Sequence, residues 1–249
     1  MSHAVTRYET SSGARIYRIP MTVFNNGFIG YSYLVLEAGT PTLIDTGSGV
    51  GESNDHLLAG IATIRDEYGE ALAITDIERI IVTHGHMDHF GGTAFMAEQT
   101  GAQVGIHPLD RRVLTNYDER VIVATKDLRV YLERAGISGE RRQQIIEMYG
   151  FLKQFVRATD VHFSVEDEQE IDGMRFVHVP GHCPGQVCII LGDTMLCADH
   201  ILSQTTPHQA PESITAYTGL RHYRDSLRKV AKIDGIKLAL GGHEDPIHD

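Results

Sequence analysis

Residues 83–92 read Thr83-His84-Gly85-His86-Met87-Asp88-His89-Phe90-Gly91-Gly92. Just before them stands Ile80-Ile81-Val82, an apolar, β-branched run of the kind found in a buried strand. The pattern is therefore a strand that ends by presenting three imidazoles and a carboxylate at one point. Neutral imidazole and carboxylate suit Zn(II), Fe(II) or Mn(II) better than Mg(II) or Ca(II). Packed so closely, His84, His86, Asp88 and His89 would repel one another or go unpaired if buried without a cation. A lone His-x-His is common in surface loops; the strand before this one and the glycines after it supply the context a metal motif needs. Gly91-Gly92 is expected to let the backbone turn tightly and start a helix beside the site.

A metal site also needs ligands from elsewhere in the chain. His182 lies in Val179-Pro180-Gly181-His182-Cys183-Pro184-Gly185, a turn rich in glycine and proline. Asp199 follows the apolar run Met195-Leu196-Cys197-Ala198, and His243 follows Leu238-Ala239-Leu240-Gly241-Gly242. Each stands just past the end of a strand-like stretch. Loops at one end of a sheet are where sites are usually assembled. Singly, each of these residues is an ordinary loop residue; the conjunction carries the weight.

Together T-H-x-H-x-D-H, P-G-H-x-P-G, a strand-ending A-D, a late G-G-H and the early Leu43-Ile44-Asp45-Thr46-Gly47 resemble the metallo-β-lactamase-fold hydrolase superfamily, over residues 16–245. The resemblance implies an α/β (α+β) chain folded as a four-layer αββα sandwich, two mixed sheets with helices outside. It implies a first metal on His84, His86 and His182, a second on Asp88, His89 and His243, and Asp199 bridging both. Asp45 would orient a ligand histidine from behind, as outer carboxylates do. Two divalent ions are implied, Zn(II) first, with Fe or Mn as alternatives. They would share a bridging hydroxide, which Asp88 and Asp199 would position as the catalytic carboxylates, Asp88 also accepting a proton. The reaction implied is hydrolysis of a small ester, thioester, lactone or amide.

Departures from individual families narrow this. Exported β-lactamases of the H-x-H-x-D-H type generally lack an aspartate at the position of Asp199. Glyoxalase-II-like thioesterases carry a C-terminal helical region, and only Glu244 to Asp249 follow His243 here. The tRNA-processing relatives carry a basic arm, which is not evident. Lactonases share the ligand set and size. The competing readings are a mononuclear iron oxidoreductase of persulfide-dioxygenase type and a non-catalytic binding protein on the same fold.

The 249 residues are enough for one large domain, 1–249, with a sizeable core. A formal charge of −11 argues against broad nucleic-acid binding, so a small-molecule substrate is the expected partner, with a homodimer contact left open. No run of ~18 apolar residues suggests a membrane span. The first residues lack a signal-peptide core, so a cytoplasmic location is expected. Of the three cysteines, Cys188 and Cys197 read as buried packing residues. Cys183, beside His182, reads as a small filling side chain, with metal ligation or redox sensitivity as the alternatives.

Strands are expected within 16–47, with a hairpin near Asn25-Asn26-Gly27, and at 79–83, 103–107, 161–165, 174–179, 187–191, 194–198 and 236–240. Helices are expected at 53–68 with Ser53 as cap, 92–100 ending at Gly101, and 218–234. Residues 108–160 show no strand-like alternation. They read as a helical insertion of two helices, 109–134 and 139–158, with stripes of Val113, Leu114, Tyr117, Val121 and Leu128, then Ile145, Met148, Leu152 and Phe155. This pair either walls the substrate pocket or only packs on the sheet or a second copy. His200, His208, Tyr217, His222, Tyr31 and Tyr33 are weaker candidates for substrate contact, each with a plain structural alternative.

Overall fold

The computed structural model describes residues 4–24, 27–150 and 155–249, with the helical backbone of 151–153. The hairpin tip expected at Asn25-Asn26 and the side chain of Leu152 fall outside the described residues. In chain order, the first sheet's strands are β1 (Thr6–Glu9), β2 (Arg15–Thr22), β3 (Ile29–Leu36), β4 (Thr42–Ile44), β5 (Arg79–Val82), β6 (Gln103–Ile106) and β7 (Phe163–Ser164). They lie side by side in that order, antiparallel from β1 to β4 and parallel from β4 to β7. The second sheet holds β8 (Glu170–Ile171), β9 (Met174–His178), β10 (Val187–Leu191), β11 (Thr194–Ala198), β12 (Leu238–Gly241) and β13 (Ile247–His248). Its order is β13-β12-β11-β10-β9-β8, and only β11 and β12 run parallel.

Period-two alternation sorts the core into layers, because successive strand side chains face opposite ways. Ile16, Tyr33, Val35, Val187, Ile189 and Leu196 point between the sheets. Tyr17, Ile19, Met21, Leu34 and Leu36 point outward beneath α1 (Ser53–Asp66). On the far face, Cys188, Ile190, Met195 and Cys197 pack with Val230 of α7 (Leu220–Val230). Both sheets are mixed and both outer faces carry helices, so the four-layer αββα arrangement holds.

Between β5 and β6 run α2 (Met87–Phe90) and α3 (Thr93–Thr100), the latter stopped by Gly101 in the left-handed conformation (φ 73°). Gly91 and Gly92 have ordinary helical φ values, −61° and −83°. Their role is close approach rather than the conformational freedom expected of a tight turn. A Cβ on Gly91 would lie 2.0 Å from the Ser48 carbonyl oxygen, and one on Gly92 2.3 Å from that of Thr46. Ser53 opens α1 as its first helical residue and does not cap it; its hydroxyl accepts the Ser48 N–H (3.1 Å).

The 108–160 segment is helical, but broken differently from expectation. A 3-10 turn at Pro108–Asp110 precedes α4 (Arg112–Thr115), α5 (Tyr117–Arg134) and α6 (Gly139–Lys153). The first stripe is buried at its base, where Leu114 and Tyr117 are covered and the Tyr117 ring meets Phe90 edge-on at 5.7 Å. Further out, Ile122, Val123 and Val130 are exposed. The second stripe is corrected too: among the described residues of α6 Ile146 is the buried one, while Met148 and Phe155 are exposed.

Candidate metal centre

Every expected ligand arrives at the same end of the sandwich, on the turn that leaves a strand. His84 and His86 follow β5, with Asp88 and His89 on α2; His182 lies between β9 and β10; Asp199 follows β11; His243 follows β12. A register shift between Leu196 and Ala198 breaks the β11–β12 ladder, and Ala198 takes a left-handed φ of 46°. Such a bulge re-aims the chain, here at Asp199.

The ligand atoms of His84, His86, His182 and Asp199 all lie within 4.8 Å of one another, and so do those of Asp88, His89 and His243. Asp199 joins the two groups. Its Oδ2 is 3.5 Å from His182 Nε2, 4.0 Å from His84 Nε2 and 3.6 Å from His243 Nε2; its Oδ1 is 3.3 Å from His89 Nε2. Asp88 Oδ2 stands 3.2 Å from His243 Nε2.

Four of the five imidazoles are held from behind. His89 Nδ1 donates to Asp45 Oδ2 (2.8 Å), His182 Nδ1 to the His208 carbonyl (2.8 Å) and His243 Nδ1 to the Ile29 carbonyl (2.8 Å). The Thr83 hydroxyl donates to Asp45 Oδ2 (2.7 Å), so its oxygen is left to accept from His84 Nδ1 (3.1 Å). The Thr83 N–H donates to Asp45 Oδ1 (2.7 Å). In all four rings the Nδ1 side is thus the donor and Nε2 turns inward. Second partners of this kind fix the tautomer and ring direction of metal-binding histidines.

Whether a cation fits is answered by what is left over. Nε2 of His84, His89 and His182 and Oδ1 of Asp199 are buried without a hydrogen-bond partner. The 3.3 Å approach of His89 to Asp199 lacks hydrogen-bond geometry. Buried polar atoms are rarely orphaned, because the desolvation goes uncompensated. Three inward imidazole nitrogens and a carboxylate oxygen form the kind of nitrogen–oxygen set, once deprotonated, that suits divalent transition metals.

The electrostatics divide the imidazoles. Burial pushes His84 and His86 well below the ordinary histidine range, helped by the neighbouring His89 and His182 respectively, which keeps them neutral. Burial also opposes charge on His89, but Asp199 and Asp45 outweigh it and raise His89 well above that range. Burial opposes ionisation of Asp88 too, yet the His243 hydrogen bond and the His89 charge bring it down to about 2. For Asp199 the same opposition is overcome by His89 and His182, leaving it well below the carboxylate range.

Other candidates fall out differently. Tyr33 is buried with its hydroxyl on the Gly241 carbonyl (2.5 Å), and Tyr31 donates its N–H to the Gly242 carbonyl (2.9 Å). Both back the His243 turn. Arg18 lies over the Tyr31 ring, 3.3 Å from its centroid, and donates to the Glu244 carbonyl. His200 is buried behind the centre against Tyr223, at 5.4 Å between rings. The His208 ring stacks on His86 (5.1 Å, 22°) at the rim. His222 pairs with Glu212 (2.8 Å). Cys183 is buried and outside both ligand groups; burial, then Asp110, pushes its thiol well up. Sequence reading missed Thr83, although it stands in the first motif, and also Asp110 and Gln186. In the orientation its surroundings require, the Gln186 amide oxygen accepts the Asp199 and His200 N–H groups (3.2 and 2.6 Å).

The sequence model of the metallo-beta-lactamase superfamily matches residues 25–243. The chain belongs to that superfamily. Among solved structures it is similar to a metallo-beta-lactamase family protein, TTHA1429 of Thermus thermophilus, with TM-score 0.74 and 24% identity, covering 94% of this chain and 75% of that one. TTHA1623, solved in a di-iron-bound form, matches with TM-score 0.60 and 20% identity over 92% of this chain and 93% of that one. The metallo-beta-lactamase GOB-18 of Elizabethkingia meningoseptica matches with TM-score 0.64 and 16% identity over 98% and 77%. These likenesses establish the fold. An uncharacterized protein of Mycobacterium leprae (strain TN), ML0493, is 23% identical over 175 residues, 66% of this chain and 67% of its own length.

Proposed function

We propose that this protein is a dinuclear metal-dependent hydrolase of a small ester, thioester or lactone. The observation that carries the reading is the meeting of two ligand groups at Asp199, with four buried ligand atoms otherwise unpartnered. When bound, two divalent ions supply Lewis acidity and a water of depressed pKa. Zn(II) is the metal proposed first; Fe is the alternative, in keeping with the di-iron form of TTHA1623.

The chain's own groups do the rest. Asp45 and Thr83 lock His89 and His84 in the orientation that turns Nε2 inward. Asp88, held ionised, is the carboxylate placed to orient the attacking water and take its proton. Asp199 spaces the two ligand groups. His208 lies at the rim, where an acyl substrate enters, and the α4–α6 segment supplies one wall of the pocket.

The test is elemental analysis of untagged protein purified without added metal or chelator, followed by a lactone, thioester and aryl-ester panel. About two zinc or iron ions per chain with turnover that chelation abolishes is the expected result. One iron per chain with oxygen uptake on persulfides, or no turnover by the fully metallated protein, would overturn it.

A further inference from the structure

We infer that Asp110, on the turn after β6, is a positioning residue that sets the distance between the His84/His86 loop and the His182 loop. The inference rests on the reading of these histidines as metal ligands. Asp110 is 4% exposed, and its Oδ2 accepts the Gly85 N–H at 2.9 Å, between the two histidines of the first motif. The Gly185 N–H, three residues past His182, lies close enough to act on the same carboxylate. Both approaches are close, and a side chain would crowd Gly185 more than Gly85. A Cβ on Gly85 would stand 3.2 Å from Asp110 Cγ, and one on Gly185 2.9 Å from it.

The same turn reaches the His182 loop by a second route. His107 stacks on His178 of the other sheet, with centroids 4.0 Å apart and planes at 13°. His178 Nε2 in turn donates to the Pro184 carbonyl (2.8 Å). The turn is itself stiff. Pro108 restricts its first φ, Leu109 N–H donates to His107 Nδ1 (3.2 Å) and Asp110 N–H to the His107 carbonyl (3.0 Å). One short turn in the first sheet therefore grips both loops that bring His84, His86 and His182 together. No hydrogen bond or ring contact links it to Asp88, His89 or His243, which arrive on α2 and the β12 turn. A carboxylate only accepts, whereas an amide in its place brings an NH₂ beside the two glycine N–H groups.

The asymmetry gives the test, read by cobalt(II) titration through visible absorption. Asp110→Asn is made in a D88A/H243A background, which isolates the first ligand group, and in an H86A/H182A background, which isolates the second. The expected result is a loss of about 10–100-fold in cobalt affinity at the first group, the range for outer-shell partners, with the second unchanged. Equal weakening at both groups, or at neither, would overturn the inference. Should Asp110→Asn not fold, Gly185→Ala presses the loop off the carboxylate while keeping Asp110, and must show the same one-sided loss. Absence of cobalt binding by the unsubstituted chain is a separate outcome: it sinks the metal reading itself, and the Asp110 inference with it.

Discussion

Asp45 carries three hydrogen bonds in a left-handed backbone conformation (φ 58°), which aspartate tolerates better than most residues. It holds Thr83 twice and His89 once, and so acts on both ligand groups. Asp45→Asn keeps the shape but presents an NH₂ where only acceptors fit. We expect stability to fall by about 1–3 kcal/mol, the cost of a buried donor left unmatched, and metal affinity to fall about 10–100-fold. Urea unfolding and metal titration measure the two; no change in either would make Asp45 a plain turn residue. His107 gives a pH prediction. Burial, then His178, lowers it to about 4 in the folded chain, against roughly 6.5 when unfolded. A folded value below the unfolded one means the unfolded chain binds more protons. The contribution is full above about pH 6.5 and is lost as pH falls towards 4. His107→Asn, which keeps an acceptor for the Leu109 N–H, should lose stability less steeply than the parent across that window. Parallel unfolding curves from about pH 7 to 4 would refute this.

At the scale of elements, the candidate ligands were legible as a cluster because each is local: an apolar run, then a turn, then a histidine or aspartate. The long strands and α1, α3 and α7 were legible for the same reason, since period and punctuation are written within one segment. What was not legible depends on register between segments. β8 and β13 have two residues each, too few to show alternation. Asp110 becomes a partner of Gly85 only once β6 lies beside β5. The split of the insertion at Asn116, and the choice of Ile146 over Met148 for burial, are likewise set by neighbours rather than by period. Gly242 shows the same dependence. Its Cβ would fall 2.4 Å from His89 Cε1 and 2.5 Å from Asp199 Oδ1, so the β12 turn must pass bare against two ligands. Gly242→Ala should lower metal content sharply while far-UV circular dichroism is kept, because the clash falls on side chains of the centre. Full metal content in that variant would mean the turn yields without moving either ligand.

For the whole molecule, the two sheets bury a large apolar core, and the centre sits where their ends meet. Among the described residues no helix is long and apolar enough to cross a membrane. The chain carries a formal charge of −11, so cations are attracted in general, and a nonspecific ion effect has to be separated from a bound one. The centre provides the separation. The protein itself offers no hydrogen-bond partner to three buried histidine nitrogens and one buried carboxylate oxygen of the centre. The unfolded chain presents no such arrangement, so metal binding adds directly to folding stability. At a free metal concentration about 100-fold above Kd the gain is about 2.7 kcal/mol per site. For a chain of this size that is a rise in Tm of roughly 5–10 °C. Calorimetry of the chelator-stripped protein, alone and with zinc at equal ionic strength, should show this rise. Magnesium at the same concentration should not, since it prefers oxygen donors and keeps its waters. Equal effects of the two ions would reduce the centre to surface charge. No effect of zinc would mean that the inward-facing histidines are satisfied some other way.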